Sequence, residues 1–296
     1  MSGTINIGGS VYQGEGNTYH NPVGRDQIRE RPVVSGSGTA GASTRADIGV
    51  LTVLEQETRA VVAALQGLSG YRTVLLPSGA TAYEAELTTP DGRVLRIAAM
   101  QILSPGLTAA ALDHRTLVER YSPEVILLVG IAGGVSDRLR IGDVVIADEI
   151  ISYDARKETP DGTRRRGRAQ TVAAPLGRRL NTFRTAAGSD FTGPDGVPFR
   201  LHVGPIGSGN AVVADAQSEI RTWLHTFHDK VLAVETEAAG VAEAFHDQRG
   251  PYGWLTIRGI SDLADTRKPR DDAFHDLASR HAATVMIELA AYLGSR

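Results

Sequence analysis

From residue 47 onward, apolar runs of strand length alternate with stretches in which apolar residues recur at helical spacing. Residues 47–54 (DIGVLTVL) form a short β-prone run. Residues 55–68 follow with Val61, Val62, Leu65 and Leu68 on one helical face. Asp91-Gly92 separates two further β-prone runs and predicts a hairpin. Ser104-Pro105 is a helix-start signal, for a helix reaching about Tyr121. EVILLVG (124–130) and GDVVIADEI (142–150) read as buried strands, and residues 156–170 as a polar, basic loop. Residues 201–213 hold a strand and a glycine turn. KVLAVE (230–235) is a strand between helical segments at 215–227 and 236–248. GWLTIRGISDLAD (253–265) is a strand running into a loop, and residues 271–293 form a closing helix. Such alternation predicts an α/β fold in three layers, α/β/α, as a single domain over residues 46–296.

Residues 1–45 break this pattern. They are rich in Gly, Asn and Ser, with β-prone patches at 5–7 and 11–12 and a flexible linker at 35–43. Two readings stand: a disordered tail, or a β-arm that pairs with another chain, because strand patches without their own core need a partner.

Composition narrows the function classes. The chain has 296 residues, 42% of them hydrophobic, enough for a substantial core. It has no cysteine, so neither disulfides nor a thiolate metal site is available. A net charge of −3 gives no general reason to bind nucleic acid or a membrane. No apolar run approaches the ~20 residues of a membrane span, and the first residues lack a signal-peptide pattern. The expectation is a cytoplasmic, soluble protein with neither nucleic-acid nor membrane partners.

Ligands of open α/β sheets sit at the carboxyl ends of strands. Those ends carry Glu55 and Glu57, the glycines Gly130, Gly133 and Gly134, Asn210, then Glu235 and Glu237, then Ser261 and Asp262. Taken singly, Glu55, Glu57, Glu235 and Glu237 each read as part of a helix first turn. Several at one sheet edge repel one another and point to a site. Glycine inside a strand costs stability, so three within five residues imply close approach of something. No G-x-G-x-x-G, Walker pattern, H-E-x-x-H or G-x-S-x-G occurs. His225 and His228 lack a third ligand and read as surface residues. Neither a metal nor a cofactor is expected.

Four segments resemble, in order, the motifs of the nucleoside phosphorylase/nucleosidase superfamily, and most nearly those of methylthioadenosine/S-adenosylhomocysteine nucleosidases. They are IGVLTVLEQET, VGIAGGV…GDVVIADE, VETEAAGVAEAF and TIRGISDLAD. The resemblance implies a central mixed, twisted sheet and cleavage of a purine N-glycosidic bond by water. By motif position Asp262 is the general acid at purine N7, positioned by Ser261. Glu57 activates the water, and Glu237 binds the ribose hydroxyls. The glycines would let the backbone pass under sugar and base. The same positions make Glu235, Thr236, Ala132, Gly133, Asn210, Val212, Val213 and Arg258 substrate-binding candidates. Family membership also implies a homodimer or higher homo-oligomer, with residues 1–45 as a candidate arm.

Departures bear on the substrate. Val212 replaces a base-stacking aromatic, Asn210 an Asp, Thr236 a Met and Ile131 a frequent Ser. Leu128 stands where hexameric phosphorylases carry a phosphate-holding Arg, which favours hydrolysis over phosphorolysis. The basic loop holds Arg156, Lys157, Arg164, Arg165, Arg166 and Arg168. It reads as a solvated surface or as a lid over phosphates. Residues 1–45 also resemble Gly/Asn-rich leaders of bacterial conflict-system proteins. Two alternatives therefore accompany the purine nucleosidase: an ATP-type nucleotide nucleosidase acting as an antiphage effector, and a catalytically inactive nucleoside sensor or scaffold.

Overall fold

The computed structural model describes residues 45–247, 251, 253–265 and 272–294, with two short strands near the start of the chain. The chain divides into two compact units, Met1–Ala42 and Ser43–Arg296. In the first, β1 (Asn6–Ile7) pairs antiparallel with β2 (Ser10–Val11), so the two β-prone patches meet each other. The predicted linker at 35–43 lies outside the described residues.

In the second unit β3 (Ile48–Thr52) leads into α1 (Glu55–Gln66). The strands β4 (Ser69–Leu75), β5 (Thr81–Thr88) and β6 (Val94–Gln101) form an antiparallel meander, with Gly92 at φ +82° in the β5–β6 turn. Next come α2 (Leu107–Tyr121), β7 (Val125–Gly134), β8 (Val144–Ala147) and β9 (Glu149–Ser152). A ribbon of β10 (Arg156–Thr159) and β11 (Gly162–Arg165) precedes β12 (Arg168–Thr171) and α3 (Ala174–Ala187). The remaining elements are β13 (Asp190–Thr192), β14 (Pro198–Val203), β15 (Ile206–Ser208), α4 (Glu219–Phe227), β16 (Ala233–Glu235), α5 (Ala238–Asp247), β17 (Gly253–Asp262) and α6 (Asp272–Ala290).

The sheet is mixed and centred on β7, which pairs parallel with β3 and β17 and antiparallel, at its glycine end, with β16. Strand alternation sorts β7 between two cores. Ile126 and Leu128 pack with Leu117 and Val118 of α2 and Ala239 and Ala242 of α5. Val125, Leu127 and Val129 pack with Val61 and Leu65 of α1, Leu180 and Phe183 of α3, and Met286 and Leu289 of α6. Helices thus cover both faces, which is the three-layer α/β/α arrangement expected. Truncating a side chain such as Leu127, fully buried between them, costs about 2–5 kcal/mol.

Three elements differ from expectation. Residues 156–170 are not a loop but the ribbon β10–β11 followed by the edge strand β12. Helix α2 begins two residues after Pro105, with Gly106 at φ +113° as its N-cap. Strand β7 does not stop at Gly130 but runs on through Gly134. Strands β4 and β13 and helix α3 have no counterpart in the sequence reading. No helix among the described residues is long and apolar enough to cross a membrane.

Candidate active site

Helix α1 starts without a side-chain cap at Leu54. Glu57, in its first turn, supplies the acceptor instead. Its Oε2 takes the backbone N–H of Val53 (2.7 Å) and Leu54 (2.8 Å), and Oε1 takes that of Ile131 (2.8 Å). The carboxylate therefore joins the end of β3 to the glycine segment of β7. Burial pushes its pKa up; Arg258 and the three N–H donors pull the other way without cancelling that effect.

Beside it lies a buried cluster on β16, α5 and β17. Glu235 accepts from the backbone N–H of Glu237 (3.0 Å) and Ala238 (3.0 Å) and from Arg258. Glu237 accepts from Arg258 Nη2 (3.0 Å), the Gly106 N–H (3.1 Å) and the Thr236 hydroxyl. Arg258 Nη1 lies 3.8 Å from Glu57 Oε1. Three carboxylates thus surround one guanidinium that has no exposed surface. Burial raises the Glu235 pKa, and repulsion from Glu237 adds to this against the pull of Arg258. Burial alone would lower the Arg258 pKa, but the three carboxylates reverse this and hold it raised.

At the end of β17 the register with β7 shifts between Ile260 and Asp262, so that Asp262 pairs with Gly133. Bulges of this kind re-aim side chains. Asp262 Oδ1 accepts from Ala264 N–H (2.8 Å), with Ala264 in the left-handed region at φ +48°. The Ser261 hydroxyl donates to Asp262 Oδ2 (3.1 Å).

These groups meet at a cavity of about 240 Å³. Of the expected residues, Glu57, Ala132, Gly133, Val212, Val213, Glu235, Thr236, Glu237, Ser261 and Asp262 line it. Two do not. Arg258 is sealed beneath the floor by its carboxylate partners, which leaves it no surface for a substrate anion. Asn210 is exposed at the rim. Its N–H and Nδ2 donate to Asp154 Oδ2 (2.7 and 3.0 Å), and its Oδ1 accepts from Leu107 N–H (3.2 Å). Val212 is 70% exposed and offers a loose wall, whereas Val213 is buried.

The glycines also leave space for neighbouring side chains. A Cβ on Gly130 would sit 2.2 Å from Arg258 Nη1 and 2.3 Å from Glu57 Oε1. One on Gly133 would meet Ala264 Cβ at 3.0 Å and Asp262 Oδ1 at 3.1 Å. The missing side chains make room for the protein's own acids and guanidinium. Glu55, by contrast, is an exposed first-turn acid paired with Arg59 at 2.7 Å.

Sequence reasoning missed Tyr153 and His275 in the lining. The Tyr153 hydroxyl reaches the carbonyls of Ala211 (2.7 Å) and Gly209 (3.0 Å) and so fixes the loop that carries Val212. Only its place just after a strand end pointed to it. His275 comes from α6 and had no sequence signal. A second cavity, about 530 Å³, lies behind Gly134 and Leu263. Of its acids, Asp137 and Asp229 are exposed and Asp265 is half-buried. No group of metal-ligating side chains occurs among the described residues.

Residues 47–293 match the sequence profile of the Phosphorylase superfamily. The chain belongs to this superfamily. It is 30% identical over 246 residues to the 5'-methylthioadenosine/S-adenosylhomocysteine nucleosidase of Aeromonas salmonicida, covering 82% of this chain and 97% of that one. It is 28% identical over 229 residues to the ATP nucleosidase Cap17 of Escherichia coli, covering 71% of this chain but only 44% of that relative. Among solved members, the S-adenosylhomocysteine nucleosidase of Streptococcus pyogenes superposes with a TM-score of 0.66 at 23% identity, over 86% of this chain and all of that one. At that identity the likeness speaks for the fold.

Proposed function

We propose that the protein is a purine nucleosidase that hydrolyses the N-glycosidic bond to free base and sugar. The observation that carries this reading is the convergence of Glu57, Glu237 and Asp262 on one 240 Å³ cavity. Cleavage of an N-riboside leaves positive charge on the sugar and negative charge on the base, so it calls for carboxylates under the ribose and an acid at the base. Asp262, presented at the β17 bulge and positioned by Ser261, donates the proton to the departing purine. Glu57 deprotonates the attacking water. Glu237 accepts from the ribose hydroxyls. Arg258 is a positioning residue that keeps three carboxylates together.

Hydrolysis is preferred to phosphorolysis for two reasons. Leu128 is buried in an apolar core, and the Ile131 N–H is already committed to Glu57. Relatives named for methylthioadenosine/S-adenosylhomocysteine and for ATP share a purine riboside as substrate, which supports the class of bond. A cytoplasmic setting and assembly into a homo-oligomer belong to the same proposal.

The test is release of free base from methylthioadenosine, S-adenosylhomocysteine, adenosine, inosine, AMP and ATP, with and without phosphate. Release without phosphate is expected. Release only with phosphate, giving ribose 1-phosphate, would replace the hydrolase with a phosphorylase. No release from any of them would make the chain a sensor or scaffold.

A further inference from the structure

The ribbon β10–β11 holds more charge than hydrolysis of a neutral nucleoside requires. Residues 156–168 contain six cationic side chains against only Glu158 and Asp161, a local excess of four positive charges in a chain of net charge −3. The ladder register sets Arg156 directly opposite Arg165, and Lys157 directly opposite Arg164. Like charges facing each other across a ladder destabilise it.

One of the two pairs is relieved internally. Arg156 lies 3.1 Å from Glu158, and Arg165 Nη1 donates to the Tyr153 carbonyl at 3.2 Å. The other pair is relieved only at Arg164, which lies 3.7 Å from Asp161; Lys157, exposed like Arg164 on the opposite face of the ribbon, has no ion pair among the described residues. Through Arg165 the ribbon is tied to Tyr153, which lines the cavity and fixes the neighbouring loop. Only residues 153–155 separate the ribbon from β9.

The cavity floor restricts where an anionic substituent can go. Glu57, Glu235 and Glu237 repel phosphate, and the counter-charge they share among the described residues, Arg258, is fully buried and already paired. A 5′-phosphate chain must therefore leave the floor and extend past the rim. We propose that Lys157 and Arg164 form a phosphate subsite, and that the substrate is a purine nucleoside 5′-polyphosphate. This rests on the nucleosidase reading above. A facing ammonium and guanidinium supply two charge-assisted donors to non-bridging phosphate oxygens, the guanidinium as a fork. The bound anion removes the repulsion that the register imposes.

The test uses the full chain and the double variant Lys157→Ala/Arg164→Ala. Adenine release is followed from adenosine, AMP and ATP. The ratio of kcat/KM for ATP to that for adenosine is expected to fall about 100-fold, chiefly through KM, with AMP intermediate. Arg164→Lys, which keeps the charge, should retain most of the ratio. Added salt should depress ATP use by the wild type far more than adenosine use. The expected loss is the same whether the ribbon serves its own cavity or that of a second copy. Calorimetry with inorganic tripolyphosphate gives a readout independent of turnover: wild type binds, and the double variant does not. Base release with an unchanged ratio overturns the subsite and leaves the nucleosidase reading standing. Tripolyphosphate binding lost in the variant, with no base released from any substrate, supports the subsite and defeats the nucleosidase reading.

Discussion

The acid cluster under the cavity and the basic ribbon beside it are both unbalanced in charge, yet they pay for that imbalance very differently. Around Arg258, three carboxylates are nearly devoid of exposed surface. Each must be held by backbone N–H groups and a shared guanidinium, because desolvating an unpaired carboxylate costs several kcal/mol. On the ribbon, Arg156 and Arg164 side chains remain 60% and 70% exposed, and water screens their repulsion. A buried imbalance is thus evidence of use by its cost alone. An exposed one acquires meaning only from register and location.

The sharpest break in this comparison is Asp262→Asn. The amide keeps the shape but cannot deliver a proton, so kcat is expected to fall about 1,000-fold with the fold intact. Near-normal turnover would remove Asp262 from the acid role. Next is Arg258→Met, which leaves Glu235 and Glu237 facing each other without a counter-charge. We expect a loss of about 3–5 kcal/mol in denaturant unfolding, easing at acid pH where the carboxylates can protonate. An unchanged midpoint would show that the cluster does not depend on its guanidinium.

Glu57→Gln separates stability from activity. Because burial raises the folded-state pKa of Glu57, its contribution to stability is present at acid pH and lost as pH rises through that value. Ionising the buried carboxylate opposes folding, a pH-dependent cost that Gln lacks, but the Gln amide nitrogen cannot accept the backbone N–H bonds taken by one of the two oxygens. The variant should lose about 100-fold in kcat, and its Tm relative to wild type should rise with pH. The same raised pKa places the acid limb of the wild-type rate profile above that of an ordinary glutamate. A Tm difference that does not move with pH, or a silent variant, contradicts this. The smallest effect belongs to Glu55→Gln, two residues away but exposed. Neither turnover nor Tm should change measurably, and a large effect would erase the distinction between buried and exposed acids.

Much of the fold was legible because its core strands are apolar on both faces and its main helices carry a clear stripe. Helix α3 escaped notice because only Leu176, Leu180 and Phe183 are buried along it, among Gly177 and several arginines. The ribbon escaped because charge occupies both of its faces, leaving no alternation to read. The candidate acids were legible from their places after strands. Their geometry was not. The bulge that turns Asp262 toward Gly133 is a register shift without a residue signature. Arg258 reads as an anion binder in sequence and lies under the floor in space, because the carboxylates that claim it come from distant segments.

Asn210 joins the turn after β9, the loop after β15 and the approach to α2 through one amide side chain and its backbone N–H. Displacing any one of these three segments therefore strains the other two. Tyr153 and Glu237 hold two of the same segments a second time, so a shift of any one of them must break several hydrogen bonds together.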